Sequence, residues 1–136
     1  MINQINIITD ATHAVEGYDN VSVTDVQHIT NGYVQHITCN ILDQVDFSGR
    51  NQLFVELLRK LCPKGEIVVK FFNLSLLPNK ILSGDITGQK FSDMLPSLQS
   101  CWSETDFTQL VSQLKGYAIT KLFHDMTYTV VTIQKT

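Results

Sequence analysis

Three residues of the types that bind zinc lie close together in the first third of the sequence. His28 and His36 are eight residues apart, and Cys39 follows three residues later. A zinc site needs several such ligands to converge. The same pattern is typical of partly exposed polar positions on short strands. We favour this second interpretation and predict no metal site; the chain has two further histidines, His13 and His124.

Cysteine and serine side chains are the next candidates for chemistry, as nucleophiles. Cys39 would need a neighbouring base and a lowered pKa, and nothing near it in the sequence supplies either. Cys39, Cys62 and Cys101 are too few and too far apart for a disulfide framework, so we expect small apolar core residues in an intracellular protein. Ser48 and Ser103 precede helical segments and are predicted to cap them. We therefore predict no catalytic residue.

The run "INIITD", residues 5–10, begins as a ligand-binding turn does, with an apolar strand that leads into polar residues. A nucleotide-binding turn would carry glycines at this point, but Ile8, Thr9 and Asp10 stand there instead. The other glycine-containing loop, "SGDITG" at 83–88, does not join a strand directly to a helix. It is therefore a poor phosphate loop.

Length and composition favour one globular domain over residues 1–136. The charged fraction of 17% is low for a fully exposed surface and favours a protein partner or a homo-oligomer. A net charge of −3 and a pI of about 5.7 argue against nucleic-acid binding. The N-terminus lacks the pattern of a signal peptide, and no apolar run approaches the roughly 20 residues of a membrane helix. We therefore expect a cytoplasmic protein, or a virion-associated one if a phage encodes it.

Hydrophobic periodicity predicts nine elements in the order β, β, β, α, β, α, α, β, β. The helix at 51–61 has the clearest apolar stripe. The strand at 66–72 is almost continuously apolar, which predicts burial on both faces. Ser103 and Asp106 form a capping-box pattern before another helix, and the chain ends in two alternating runs around "HDM". The remaining strands are expected at 4–9, 20–26 and 32–42, and a helix interrupted by Pro96 at about 90–102.

This order resembles that of the class I S-adenosylmethionine-dependent methyltransferases, most closely a bacterial and phage group. That group has a first strand like "LNIGCG", a second-strand segment like "EGYINVDI", a fourth strand ending "SHVLEH" and a "VLKPGG" turn. The segments that are similar here, in the same order, are "INII" (5–8), "EGYDNVSV" (16–23), "CNILDQV" (39–45), "LLRKLCPKGEIVVKF" (57–71) and "WSETDFTQLVSQLKGYAITKL" (102–122). The resemblance implies an α/β fold with a shortened, mostly parallel Rossmann-like methyltransferase sheet that ends in an antiparallel hairpin.

The sequence departs from this family where the cofactor would bind. Family glycines after the first strand let the backbone approach the cofactor, whereas Ile8 would fill that space and Asp10 would add negative charge. The ribose-binding acid of the second strand aligns with Ser22, although a shifted register could bring in Asp25. About a dozen residues replace a family helix and strand before "CNILDQV", so one strand–helix unit is missing.

The resemblance implies a possible functional role for two further residues, Asp43 and Trp102. Asp43 stands where the family has an acidic residue that borders the substrate, and we favour a strand-end cap or solvated turn for it. Trp102 stands where family members often have a residue near the site mouth, and we favour packing at the domain edge.

Two hypotheses of function follow. The first is a non-catalytic methyltransferase-like domain that has lost its cofactor loop and binds no cofactor. It would act as a protein-interaction or structural subunit of an oligomer or of a larger assembly, for example a phage assembly. The alternative is an active S-adenosylmethionine-dependent methyltransferase with an atypical cofactor site formed by Asp10, Asp25 and Asp43, with Asp43 or Asp46 near the acceptor. A small-ligand binder or regulator is a third option.

Overall fold

The computed structural model describes residues 2–9, 14–98 and 101–136, and these contain a six-stranded sheet with the spatial order β2-β1-β3-β4-β6-β5. The first four strands are parallel to one another, and the last two form an antiparallel hairpin that pairs with β4. The predicted fold class, a shortened Rossmann-like methyltransferase sheet, is therefore confirmed. The strands are β1 (Ile2–Ile8), β2 (Asp19–Ser22), β3 (Val34–Cys39), β4 (Leu61–Phe72), β5 (Tyr117–Asp125) and β6 (Tyr128–Lys135).

Four α-helices lie within the described residues: α1 (Arg50–Lys60), α2 (Leu77–Leu82), α3 (Gly88–Met94) and α4 (Glu104–Ser112). The capping box of α4 is confirmed, because the Ser103 hydroxyl accepts from the Asp106 N–H and the Asp106 carboxylate accepts from the Ser103 N–H. The predicted cap at Ser48 is wrong. Gly49 is the residue before α1, and the Ser48 hydroxyl donates to Asp46 Oδ2 at 3.0 Å instead.

The helices α1 and α4 cover one face of the sheet, which we call the helix face. The Phe107 ring of α4 lies 5.3 Å from Phe54 of α1 and stacks at 4.6 Å on Phe71 of β4. Trp102 joins this aromatic cluster and is 1% exposed. The prediction of Trp102 at the domain edge is therefore wrong, because its indole fills the space between β4 and both helices.

The opposite face of the sheet, which we call the polar face, carries half-buried side chains. Along β4, Ile67, Val69 and Phe71 are buried on the helix face, while Glu66, Val68 and Lys70 alternate with them at intermediate exposure. The prediction that this strand is buried on both faces is therefore wrong. In the same row as Val68 the neighbouring strands place Asn6, which is buried, and the half-buried Thr38 and Thr132, so this row is largely polar in sequence.

The short connections between the first strands explain this asymmetry. The strands β2 and β3 lie on opposite sides of β1, so right-handed crossovers place their connections on opposite faces of the sheet. Residues 9–18 join β1 to β2, and the described part, 14–18, is a turn rather than a helix. A parallel crossover with a covering helix usually needs a dozen or more residues.

The predicted second strand at 20–26 is correct only to Ser22. From Val23 to His28 the chain forms a 3₁₀ helix, and Val26 is buried in the core of the helix face. This segment and α1 form the two walls of one groove. The chain leaves β2 early because it must cross β1 to reach β3 within residues 23–33.

The strand β4 begins at Leu61, directly after α1, although a glycine turn was expected at residues 62–65. Lys64 has a φ of 64°, and a Cβ added at Gly65 would lie 2.9 Å from the carbonyl oxygen of Cys62 and 3.0 Å from that of Val34. Gly65 is therefore required by the close approach of β3 in this irregular part of the β3–β4 pairing.

Replacing Gly65 by alanine should lower the free energy of unfolding by about 2 kcal/mol, because rigid backbone oxygens must move to admit the methyl group. The matched control is Gly88→Ala at the start of α3, where no atom lies within 4 Å of the added Cβ. Its effect should stay within about 0.5 kcal/mol. Urea unfolding measures both, and equal effects would contradict the proposed close approach.

No helix within 2–9, 14–98 and 101–136 is long and apolar enough to cross a membrane.

Candidate functional site

The carboxyl ends of the four parallel strands meet at one edge of the sheet, where open α/β sheets bind ligands. Ile8 is partly buried at the end of β1 and Thr9 is exposed beyond it. The end of β2 is Ser22, whose hydroxyl lies 3.1 Å from that of Thr24. Of the predicted cofactor-binding residues, Asp10 lies outside the described residues.

Asp25 and Asp43 lie in different environments. Asp25 is exposed in the first turn of the 3₁₀ helix that follows β2. Asp43 is 4% exposed and belongs to a short 3₁₀ helix, Leu42–Gln44, that follows β3. Its Oδ2 accepts the backbone N–H of Phe72 at 3.0 Å. Asp43 therefore ties the carboxyl end of β3 to that of β4.

Described residues at the edge between β3 and β4 line a small cavity. Its volume is about 170 Å³, and its lining includes Asp43, Gln44, Lys70, Leu98 and Tyr128. The ammonium group of Lys70 lies 4.9 Å from the centre of the Tyr128 ring. Small-molecule sites usually occupy about 300–1,000 Å³, so this cavity, as the described residues line it, is smaller than a typical cofactor site.

Residues that follow β1 and β3 contact each other across the same edge. The hydroxyl of Thr9 donates to Gln44 Oε1 at 3.3 Å. The described part of the carboxyl edge is thus bridged by side chains at two points, Thr9–Gln44 and Asp43–Phe72.

A larger groove of about 560 Å³ lies between α1 and the 3₁₀ helix at Val23–His28, which directly follows the carboxyl end of β2. Its described lining includes Thr24, Gln27, Gln52 and Glu56. The Glu56 carboxylate is 2.9 Å from Lys60 Nζ, and this hydrogen bond is the largest cause that lowers the pKa of Glu56. Asp25 is not among the described residues that line the groove.

The zinc interpretation fails on geometry. His36 lies on the polar face, where its Nδ1 is 3.3 Å from the Glu66 carboxylate. Cys39, three residues along the same strand, is buried in the helix-face core. Side chains that point to opposite faces of one strand cannot bind the same ion. His28 is exposed in the 3₁₀ helix after β2, and His13 lies outside the described residues.

The predicted buried thiol at Cys39 is confirmed, since this side chain is fully buried. Burial raises the pKa of the thiol from its ordinary 9.0 to about 12, with Asp43 contributing in the same direction. The thiol is therefore protonated at neutral pH and is unsuited to act as a nucleophile. Cys62 is also buried, while Cys101 is only partly so.

The raised pKa of Cys39 predicts a loss of stability at alkaline pH. Between about pH 9 and pH 12 the unfolded thiol loses its proton while the folded thiol keeps it, so unfolding is favoured as pH rises. By about pH 10.5 the loss should be about 2 kcal/mol. Comparison of urea unfolding at neutral and alkaline pH should show a smaller loss for Cys39→Val. The control Cys62→Val, which leaves Cys39 in place, should keep the wild-type loss, and equal slopes in all three proteins would contradict the assignment.

The sequence analysis did not identify one buried charged residue, Arg50, or its contacts with aromatic rings. Arg50, the first residue of α1, is 4% exposed and its guanidinium carbon lies 3.8 Å from the Trp102 ring centre and 4.3 Å from that of Phe47. One of its terminal N–H groups donates to the carbonyl oxygen of Cys101. Burial lowers the pKa of Arg50, although the nearby Asp106 opposes this effect. An aromatic residue three positions before an arginine was the only signal available, and it is weak.

Comparison with known proteins supports the fold. No family model matches the chain, and no curated protein sequence is significantly similar to it. Among solved structures, an S-adenosylmethionine-dependent methyltransferase from Archaeoglobus fulgidus has a TM-score of 0.64 at 8% identity, covering 98% of this chain and 86% of that protein. Another, a possible histamine N-methyltransferase from Thermotoga maritima, has a TM-score of 0.65 at 8% identity, covering 99% and 82%.

A possible exported protein from Bordetella parapertussis is similar over 97% of this chain, with a TM-score of 0.63 and 16% identity. The chain spans 53% of that protein's length. At such identities the likeness shows the fold alone. The chain thus has a methyltransferase-like, Rossmann-like fold.

Proposed function

We propose that this protein is a methyltransferase-like domain that has lost its cofactor site and serves as a protein-interaction or structural subunit. The observation that carries the proposal is the bridged carboxyl edge. Asp43, at a position that could face a substrate, instead accepts the Phe72 N–H at 3.0 Å beside a cavity of about 170 Å³. A carboxylate committed to a buried backbone donor is poorly placed to bind a ligand.

The end of β1 supports the same proposal. Ile8 and Asp10 occupy the positions where the resembling family has glycines, and the hydroxyl of Thr9, between them, contacts Gln44 across the edge. The short connection from β1 to β2 supports it further, because its described part contains no helix that could present N–H groups to a cofactor.

Thermal unfolding with S-adenosylhomocysteine tests the cofactor part of the proposal. A ligand present at 100 times its dissociation constant adds about 2.7 kcal/mol to the stability of the protein that binds it. For a domain of this size that would raise the melting temperature by about 10 °C. We expect no increase, and an increase of several degrees with S-adenosylhomocysteine but not with adenine would contradict the proposal.

The interaction part of the proposal depends on two exposed surfaces. The edge strand β5 exposes Ile119, Leu122 and Phe123, and long apolar edges are sites of protein association. The second surface is the helix α2, which lies between β4 and α4 in the chain and buries none of its residues. In this helix Leu82 is 85% exposed and Ile81 is 50% exposed. Sedimentation velocity at micromolar concentration should show self-association, and a strictly monomeric protein would count against a homo-oligomeric role.

The groove between the 3₁₀ helix and α1 favours one alternative, an active methyltransferase with an atypical site. Its volume of about 560 Å³ lies within the range of small-molecule sites. Under this alternative Thr24 and Gln52 would contact S-adenosylmethionine, and Asp25 would have to turn toward the groove. Binding that is abolished by Gln52→Ala and unaffected by Gln44→Ala would favour this alternative over the proposal.

A further inference from the structure

A second cleft, distinct from the carboxyl-edge cavity, lies between the first turn of α1 and the helix α4. Its volume is about 260 Å³. Phe47 and Leu110 supply apolar walls, and Arg50 and Trp102 form its inner side. We refer to it as the Arg50 cleft.

Two side chains that line this cleft each have a buried N–H donor without an acceptor among the described residues. Arg50 Nε and Trp102 Nε1 are both buried, and neither has a hydrogen-bond partner among the described residues. Buried donors are almost always paired in folded proteins, because an unpaired one costs about 1–3 kcal/mol. That two of them belong to residues lining one cleft indicates that an acceptor is missing from this position.

The charge of Arg50 points to the kind of acceptor. Arg50 as a residue is only 4% exposed, and none of the ion pairs between described residues includes it. The nearest acid on the cleft, Asp106, directs its Oδ2 to the Ser103 N–H within the capping box. A buried cation without a paired carboxylate favours an anionic ligand.

The shape and charge of the cleft favour a carboxylate over a phosphate as the anionic group of the ligand. Phe47 is 69% exposed, so this wall is not held by the core and leaves an apolar ring available to a ligand. A carboxylate is planar and can accept two parallel N–H bonds. A phosphate would place about two negative charges beside one guanidinium and the carboxylate of Asp106, which the cleft does not balance.

We propose that the Arg50 cleft binds a carboxylate attached to a small aromatic or apolar group, whose oxygens accept from Arg50 Nε and Trp102 Nε1. The ligand's ring would lie against Phe47 and Leu110. This proposal does not depend on the loss of the cofactor site, since none of these side chains forms the bridges Thr9–Gln44 and Asp43–Phe72.

The single tryptophan of the chain makes the site directly observable, because Trp102 is the only source of tryptophan fluorescence. Titration with benzoate should change the fluorescence saturably, with a dissociation constant on the order of 1 mM or tighter, as expected for a ligand of this size. Benzamide, which has the same shape without the charge, and inorganic phosphate should cause no saturable change. No response to benzoate would overturn the proposal and leave ordered water as the acceptor, and an equal response to benzamide or phosphate would overturn the assignment of a carboxylate.

Two arginine variants separate direct contact from general charge. Arg50→Gln should weaken benzoate binding at least about tenfold, and Arg59→Gln, which removes the same charge from an exposed position on the same helix, should not. Because Arg50→Gln also disturbs packing on Trp102, Arg50→Lys serves as a second variant that keeps the charge without the Nε donor. Both variants should retain the wild-type circular dichroism spectrum. Wild-type affinity in Arg50→Lys, or equal weakening by Arg59→Gln, would overturn the proposed contact.

Discussion

Replacing Phe107 by alanine should lower the free energy of unfolding by about 4 kcal/mol, the largest effect we expect from a single substitution in this protein. Phe107 is 1% exposed and is the anchor of α4, with ring contacts to Phe54, Phe71 and Trp102 at 4.6–5.6 Å. Its removal leaves a cavity where both helices meet the sheet. Urea unfolding followed by circular dichroism measures the loss.

The matched control is Phe123→Ala on β5, which deletes the same side chain at 46% exposure. Its effect should stay below about 1 kcal/mol. Because the fluorescence of Trp102 reports on the same cluster, the emission maximum of Phe107→Ala should also shift in the folded state. Similar losses in the two variants would mean that α4 is not anchored through Phe107.

Replacing Asp43 by alanine should cost about 3 kcal/mol, because the buried N–H of Phe72 loses a charged acceptor. This substitution tests whether the residue that the family resemblance placed near a substrate is instead part of the framework. A surface residue at a ligand site would show little loss of stability when it is removed. The result therefore bears on function as well as on folding.

The variant Asp43→Asn keeps an oxygen acceptor and should recover at least half of the loss. Asp25→Ala removes a carboxylate from an exposed position and should change stability by less than about 0.5 kcal/mol. If Asp43→Ala unfolded at the same urea concentration as Asp25→Ala, the bridge between β3 and β4 would not stabilise the fold.

The strands and helices with strong periodicity were predictable from the sequence. The helix expected at 51–61 is observed at Arg50–Lys60, and the terminal hairpin is present with its turn at Met126 and Thr127. The burial of Cys39 on β3 was also predicted. These features could be predicted because the spacing of apolar residues within each segment determines which side of the helix or strand faces the core.

The errors arose where distant parts of the chain decide the outcome. The apolar composition of 66–72 suggested burial on both faces, but coverage depends on connections elsewhere, and residues 9–18 are too few for a typical covering helix. Ser48 does not cap α1 because the helix begins at Arg50, so Gly49 takes the position before the first turn, and the Ser48 hydroxyl donates to Asp46.

The candidate sites were harder to predict than the fold. The bond of Asp43 to Phe72 joins residues 29 positions apart, and the contact of Arg50 with Cys101 spans 51. No local pattern encodes such pairs. The sequence showed that the glycines of a cofactor loop are absent, whereas the bridging contacts and the Arg50 cleft required the three-dimensional arrangement.

The central claim is that the carboxyl edge of the sheet no longer accepts S-adenosylmethionine, and a titration followed by two-dimensional amide NMR tests it most directly. Each backbone amide gives its own signal, which shifts when a ligand binds nearby. The signals of Ile8, Thr9 and Gln44 report on the carboxyl edge, and those of Thr24 and Gln52 report on the larger groove. We predict that saturating S-adenosylmethionine leaves all of these signals unshifted. Saturable shifts at the edge with a micromolar dissociation constant would contradict the claim, and shifts confined to the groove would establish the atypical site instead.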